Sequence, residues 1–589
     1  ILGKGYGEIA ADSRSNHKTQ GFGSAKQRGS SFEYFKTILG DAPVTDLMDG
    51  VNTTWGRVKG GEAIEADITS IRNSFDIEHP EKSVPALVGL LTKVEKVGDA
   101  YWKQQKSKEL KELIASCAGL WMEAYSNQAS YALGDSMQVT SQIVSRYGSK
   151  VKITYADDSK KTSDNIYKAK ELADNQLIAF TAKILAGKLT QPYWLETPHA
   201  LGIYNITNQQ SVGNPENPDF PQAHFLTTIE GKAIVFERRV YYKYVDQAKG
   251  EIYQPIDITP PVTATIVSKD YVFNTQQPQT IQLKLQSFTN ASGSISLKPI
   301  EGWKISPAKI DFTGKAKGTE WTETFTIAPT DSKPRNSVLQ AIVNTGGKDW
   351  SMGFQRIAYD HIPTITLFPP AEAKLINIDL KTAGKKIGYI AGAGDVVAES
   401  LAQVGYDIHQ LTEADIMNAD LSVYDAIVTG VRAYNTNPRL VVEQPKLMEY
   451  VNNGGNFVVQ YNVPQPLVLS QIGPYPFRVV NQRVTDEEAK VTFIDPQHTV
   501  LNYPNKITQV DFDGWIQERG IYFVTGIDPR YKTILNMNDP GEAPNPGSLI
   551  VGDYGKGRFV YTSLDFFREL PAGVPGAYRL FVNLLSKPK

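Results

Sequence analysis

The stretch DSRSNHKTQGFGS, Asp12 to Ser24, sets Arg14, His17, Lys18 and Gln20 close together and shows no apolar periodicity. Side chains of this kind line polar active sites, where they hold anions and stabilise developing charge. The remaining histidines are His79, His199, His224, His361, His409 and His498, and no two of the seven stand three to five residues apart. Helices and hairpins use that spacing to present two ligands to one zinc ion. The chain's own histidines therefore predict no metal centre. A single cysteine, Cys117, excludes an intrachain disulfide and a cysteine-based zinc site.

A second chemical candidate is the run YDAIVTGV into Arg432, Ala433 and Tyr434, a strand-to-helix turn of the kind that seats nucleophiles in α/β enzymes. Its hydroxyls are Thr429 and Tyr434, and His498 in DPQHTVLNYP is the one base to set beside them. No cysteine and no orienting carboxylate complete a nucleophile pair, which argues against catalysis there. GAGDVV, Gly392 to Val397, follows a strand and opens a helix as a dinucleotide fingerprint does, but Val397 replaces the third glycine. A plain turn with Asp395 as helix cap fits better, since that carboxylate takes the place a phosphate would need. The pairs Asp157-Asp158 and Glu487-Glu488 read as solvated loops. The 29 tyrosines read as sandwich packing, with sugar-stacking platforms as the functional alternative.

These residues must be carried by several units, because 589 residues exceed what one core supports and predict roughly three to five domains. Residues 1–60 read as a Gly-rich, irregular tail. Residues 61–134 read as a small helical unit: EAIEADITSIRNSF, VPALVGLLTKVEKVGDAYW, and a third helix through KELKELIASCAGLWMEAY in which Cys117 is a buried structural thiol. Residues 135–257 show short alternating runs (MQVTSQIVSR, KVKITYA, HALGIYNI, KAIVFERRVYYKYV) and predict a β-sandwich. Residues 258–370 repeat that texture and predict a second sandwich. From 371 to 589 strands alternate with helices, which predicts a mostly parallel sheet covered on both faces. The expected fold class is multidomain α+β: a helical unit, two β-sandwiches and a C-terminal flavodoxin-like α/β domain.

Composition narrows the partners. A net charge of −2, with Lys plus Arg 61 against Asp plus Glu 63 and no long block of one sign, argues against nucleic acid. No run of eighteen apolar residues exists, so no transmembrane segment is predicted. Hydrophobic residues at 41% are those of a folded chain.

KGYGEIAADSRSNHKTQGFGSAKQRGSSFEYF, then DLMDGVNTTWGRV, resembles the segment that follows the catalytic half in large multidomain bacterial members of the PIG-L (LmbE-like) N-deacetylase family. The order of the following units agrees, with a second sandwich similar to the NEW3 type. HTVLNYPNKITQVDFDGWIQERGIYF is similar to the signature of a class I glutamine-amidotransferase or ThuA-like domain. The resemblance implies a zinc hydrolase that removes acetyl groups from N-acetylated sugars or glycoconjugates by metal-activated water. It departs from the family in one respect: neither an AHPDDE-type stretch nor an HxxH-type pair occurs. The expectation is an accessory, noncatalytic region, with no cofactor in this chain and zinc in a separate or missing catalytic half. In that setting the resemblance implies that Arg14, His17, Gln20 and Arg28 border the deacetylase pocket. The C-terminal domain lacks the amidotransferase cysteine and His-x-Glu pair and is expected to be a silent packing, binding or dimerisation module. Expected partners are an N-acetylated carbohydrate, the deacetylase domain and a second copy in a homo-oligomer; the expected location is the periplasm or surface of a bacterium. The rival expectation is a free-standing glycan-binding or scaffold protein.

Overall fold

A computed structural model describes residues 3–21, 23–147, 150–157, 170–200, 202–217 and 220–588. Phe22 of the opening stretch, Leu201 of the HALGIYNI run and Asp158 of the acidic pair lie outside them. The chain is multidomain, with many strands and fewer helices.

The opening segment is not wholly irregular. Tyr6–Ser15 is an α-helix and Lys18–Gln20 a 3-10 turn. The Glu8 carboxylate accepts the Gly5 N–H at 3.1 Å, and this cap starts the helix. Only Ala11 of it is buried, which is why no apolar stripe announces it. Residues 23–53 have no helix or strand and are exposed throughout.

Helices Glu62–Ser74, Val84–Val94 and Ala100–Cys117 follow. The third was expected to run on towards residue 134, and it does not. Gly119 takes φ +63°, a left-handed stop that costs glycine nothing, and a Cβ there would meet the Tyr147 ring at 2.5 Å. Leu120–Ser126 is then a strand, with Met122 and Ala124 buried in the sheet core. Nor does the helical unit stand apart. Leu87, Leu91, Ile114 and Cys117 share one core with Met137, Val139, Phe225 and Phe236 of the sheet.

That sheet orders its strands Lys170–Glu171, Val151–Asp157, Gln222–Ile229, Lys232–Asp246, Leu120–Ser126, Ser136–Ser145 and Ile178–Leu185, with Gly250–Pro255 also on Lys232–Asp246. The long strand serves two layers. Its residues 232–239 pair with Gln222–Ile229, and residues 240–242 pair in parallel with Leu120–Ser126. The HALGIYNI run forms no strand among the described residues; its Ile203 and Tyr204 face solvent.

The second sandwich faces a four-stranded sheet, which includes Val262–Ile266, Gln279–Ser287 and Glu320–Pro329, against a sheet that includes Ala291–Leu297, Ile310–Lys315 and Arg335–Thr345. Ile281, Leu283, Phe325, Ile295, Leu339 and Val343 fill the space between them. The unit does not end at residue 370. Glu372–Asn377 pairs with Arg335–Gln340, because AKLI alternates and its inner residues complete the core.

In the C-terminal unit the strand order is Asp407–Gln410, Lys386–Ile390, Ala426–Thr429, Asn456–Gln460, Gly557–Thr562, Leu549–Tyr554, Tyr531–Thr533. The first five are parallel and the last two antiparallel. The central strands are buried along their whole length, and helices Leu440–Asn452 and Pro575–Leu585 pack on the sheet.

Candidate functional site

The four residues expected to border a pocket sit on the opening segment. Arg14 lies in the last turn of Tyr6–Ser15, His17 caps the Lys18–Gln20 turn, and Gln20 ends it. Arg28 returns to the helix, its Nε 3.2 Å from Glu8 Oε1. Asp12 receives Lys26 at 2.8 Å and Lys4 at 3.5 Å, and the Lys26 hydrogen bond holds its carboxyl below the usual range. All four candidates are exposed. The same segment carries Phe32, Tyr34, Phe35, Ile38, Leu39 and Val44, each 70–96% exposed. Trp55 then begins an apolar groove of about 530 Å³ between the helices, lined also by Ile64, Ile68, Phe75, Leu90 and Leu113.

The described residues bring no three His, Cys, Asp or Glu side chains into a group that would ligate a metal ion.

The expected turn after Ala426–Thr429 is present and carries no nucleophile. Tyr434 is fully buried, its hydroxyl donating to Gln444 Oε1 at 2.6 Å, and burial pushes its phenol far up. Thr429 is buried with no base beside it. His498 is elsewhere: its Nδ1 accepts the Val500 N–H at 3.3 Å, capping the short helix Thr499–Asn502, and burial lowers its pKa.

Asp395 is not the helix cap: Val396 holds that position for the helix Val397–Gln403, and the Asp395 carboxylate, one residue earlier, bridges the neighbouring turns. Its Oδ2 accepts the Val431 N–H at 3.0 Å, and its Oδ1 accepts the Val397 N–H at 3.1 Å and the Tyr389 hydroxyl. It closes the space between the turns after the first and third parallel strands. The glycines there serve close approach, since a Cβ on Gly392 would lie 2.1 Å from Val431 O.

What the residues did not announce is the cluster at the carboxyl ends of three adjacent strands, Ala426–Thr429, Asn456–Gln460 and Gly557–Thr562. Arg432 opens the helix Ala433–Thr436 at φ +59°, ψ 22°, and its N–H donates to Tyr461 O at 2.8 Å. Tyr461 packs 5.8 Å from Tyr522 and 5.4 Å from Phe567, centroid to centroid. Its phenol is pushed up to about 12, first by burial and then by Asp565, against the guanidinium groups of Arg432 and Arg568. Arg568 lies 4.8 Å over the Phe567 ring and 3.4 Å from Asp565 Oδ2, a contact too poorly aligned for a hydrogen bond.

Asp565 is 0% exposed, with the Glu518 carboxyl against it. Two carboxyls so placed do not both ionise. Burial, reinforced by Glu518, raises Asp565 to about 8. Glu569, also buried, accepts the Ile516 N–H at 3.0 Å with both oxygens, and burial raises it to about 8 as well. The group thus holds protons near neutrality beneath an exposed arginine and an aromatic wall. It suits recognition better than nucleophilic attack.

No protein-family model matches this chain, and no curated protein does. Among solved structures, a chain of the chaperone-tip adhesin complex of CFA/I fimbriae biogenesis is 8% identical at a TM-score of 0.13, over 21% of this chain and 63% of its own length. WR4, a C. elegans MSP family member, is 12% identical at 0.12 over 20% of this chain and 96% of its own. PapD-like domain 7 of human CEP192 is 12% identical at 0.13 over 22% and 94%. Likeness at that level carries no argument about function.

Proposed function

We propose that this chain is the noncatalytic region of a PIG-L-type, zinc-dependent N-deacetylase acting on N-acetylated sugars or glycoconjugates in an exported location, and that residues 3–53 dock on the deacetylase domain. The observation that carries the reading is the uncovered apolar segment from Phe32 to Val44, continuous in sequence with the groove that starts at Trp55. An exposed apolar run of this extent marks an interaction site. Burying its six large side chains contributes on the order of 10 kcal/mol before association costs. Docking there brings the helix Tyr6–Ser15 and the 3-10 turn to the same partner, so Arg14, His17 and Gln20 reach the pocket rim. The strand order second, first, third, fourth, fifth among the parallel strands supports a flavodoxin-like, amidotransferase-related reading of the last unit. The paired sheets of residues 262–377 support a NEW3-type sandwich.

The test mixes the chain with a purified PIG-L-type deacetylase domain and measures binding by calorimetry and chelator-sensitive acetate release from N-acetylglucosamine oligomers. The wild-type chain should bind and raise release, while Phe35→Asp with Leu39→Asp should lose at least tenfold in affinity. Failure to bind, or equal binding by the double variant, overturns the reading and favours a free-standing scaffold. Chelator-sensitive release by the chain alone overturns its noncatalytic assignment.

A further inference from the structure

We infer that two copies of this chain exchange residues 31–39, each segment folding as an amphipathic helix in the apolar groove that the other copy's helices leave open. The exchange needs no deacetylase domain.

The segment carries a helix's signals without being one. Ser30 and Glu33 stand at the spacing of a capping box, and Gly40 follows the run at φ +83°, a left-handed stop of the kind that ends helices. At about 100° per residue, Phe32, Tyr34, Phe35, Ile38 and Leu39 fall within an arc of roughly 160°, and Glu33, Lys36 and Thr37 take the opposite face. A helix this short does not offset its nucleation cost in water, so the run is an exposed coil in the single chain. Such a segment becomes helical when a groove receives its apolar face.

The chain itself presents such a groove. Helices Glu62–Ser74, Val84–Val94 and Ala100–Cys117 leave about 530 Å³ among Ile64, Ile68, Phe75, Leu90, Leu110 and Leu113, a trough that lacks the fourth helix of a bundle. Phe75 and Leu113 on its rim are about half exposed. A helix over residues 31–39 is about 14 Å long and aligns Phe32, Phe35 and Leu39 at i, i+3 and i+7, the anchors that fill a groove between helices.

The occupant is a second copy. The connection from Gly40 to Trp55 extends to about 50 Å, so it does not forbid the groove of the same chain, yet there the five apolar side chains stand 70–96% exposed. Three aromatic rings at about 150–250 Å² each, with two aliphatic side chains, remove roughly 700 Å² per segment from water. Reciprocal exchange about a two-fold axis doubles that area and passes the ~1,200 Å² at which specific interfaces begin. Because the exchanged segment is the one assigned above to the deacetylase domain, the two contacts exclude one another, and the dimer is the form of the chain without that domain.

The experiment is sedimentation velocity on the full chain alone over a hundredfold range of concentration, with circular dichroism to confirm folding. The wild type should pass from monomer to dimer as concentration rises. Phe35→Asp with Leu39→Asp in the segment, and Phe75→Asp with Leu113→Asp on the groove rim, should each weaken dimerisation at least tenfold. Mixing the two variants should restore a dimer at least several-fold tighter than either variant forms alone, since one intact segment then meets one intact groove. A wild-type chain that stays monomeric throughout overturns the proposal, as does a dimer that the segment variant keeps or a mixture that gains nothing. Should the groove variant misfold, hydrogen exchange of residues 31–39 in the wild type decides: protection that grows with concentration is expected, and protection already complete in the monomer places the segment in its own groove and overturns the exchange.

Discussion

Replacing Asp565 by asparagine tests the protonation of the buried carboxyl cluster directly. In the folded chain Asp565 is raised from 3.8 to about 8 and Glu569 from 4.5 to about 8. Between roughly pH 4.5 and 8 the native state holds a proton on each that the unfolded chain has released. Stability is then fully present at acid pH and falls as pH rises towards 8, by at most about 1.4 kcal/mol per pH unit for each group. For a unit of about 200 residues, 1 kcal/mol moves the melting temperature by about 2–4 °C. The wild-type transition of the α/β unit should drop by up to about 3–6 °C per pH unit for each carboxyl. Asparagine cannot ionise, so Asp565→Asn removes one share, roughly halves the slope and leaves the variant more stable than wild type at pH 8.5. Calorimetry from pH 5.5 to 8.5 reads the slope. Hydrogen exchange of Asn456–Gln460 and Gly557–Thr562 assigns it to this unit. A wild-type chain that gains stability with pH over that range, or a variant with an unaltered slope, refutes the reasoning.

Gly293→Ala should destabilise the second sandwich by about 1–3 kcal/mol, because its Cβ would lie 2.1 Å from Asn344 O at the bulge, as chemical denaturation would report. Asn583→Leu should cost about 3 kcal/mol or more in the C-terminal unit. Its amide donates to Val500 O at 2.9 Å and Asn505 O at 2.7 Å and accepts the Asn505 N–H at 3.0 Å, so leucine leaves buried groups unpaired. Cys117 is buried and burial raises its thiol, so an aromatic disulfide reagent at pH 7.5 should label it only as denaturant unfolds the helix–sheet core, and rapid native labelling would contradict that packing.

Much of the architecture was legible because it repeats. The stripe Leu87, Leu90, Leu91 and Val94 fixes a buried helix, and the two-residue alternation of TIQLKLQSF fixes a half-buried strand whose inner residues are Ile281, Leu283 and Leu285. Errors came where one residue overrode a pattern. Gly119 ends a helix whose apolar spacing Leu120, Trp121 and Ala124 continue in sequence, and a side-chain cap from Glu8 builds a helix with no apolar face to announce it. The turn at Thr429–Tyr434 was visible, yet its left-handed arginine was not, since residue type does not encode positive φ outside glycine. Glu518 and Asp565 come together only through tertiary folding, and no spacing rule pairs them.

The joint core of Leu87, Leu91 and Ile114 with Met137, Val139 and Phe236 governs how this polypeptide can be dissected. A nick at the Gly119 corner would not release a helical bundle and a sheet as separate particles. Each fragment would carry half of one oily seam, and the pair should co-purify until denaturant parts them. Deletion series intended to isolate a helical module therefore need to retain the strands through Gly250–Pro255.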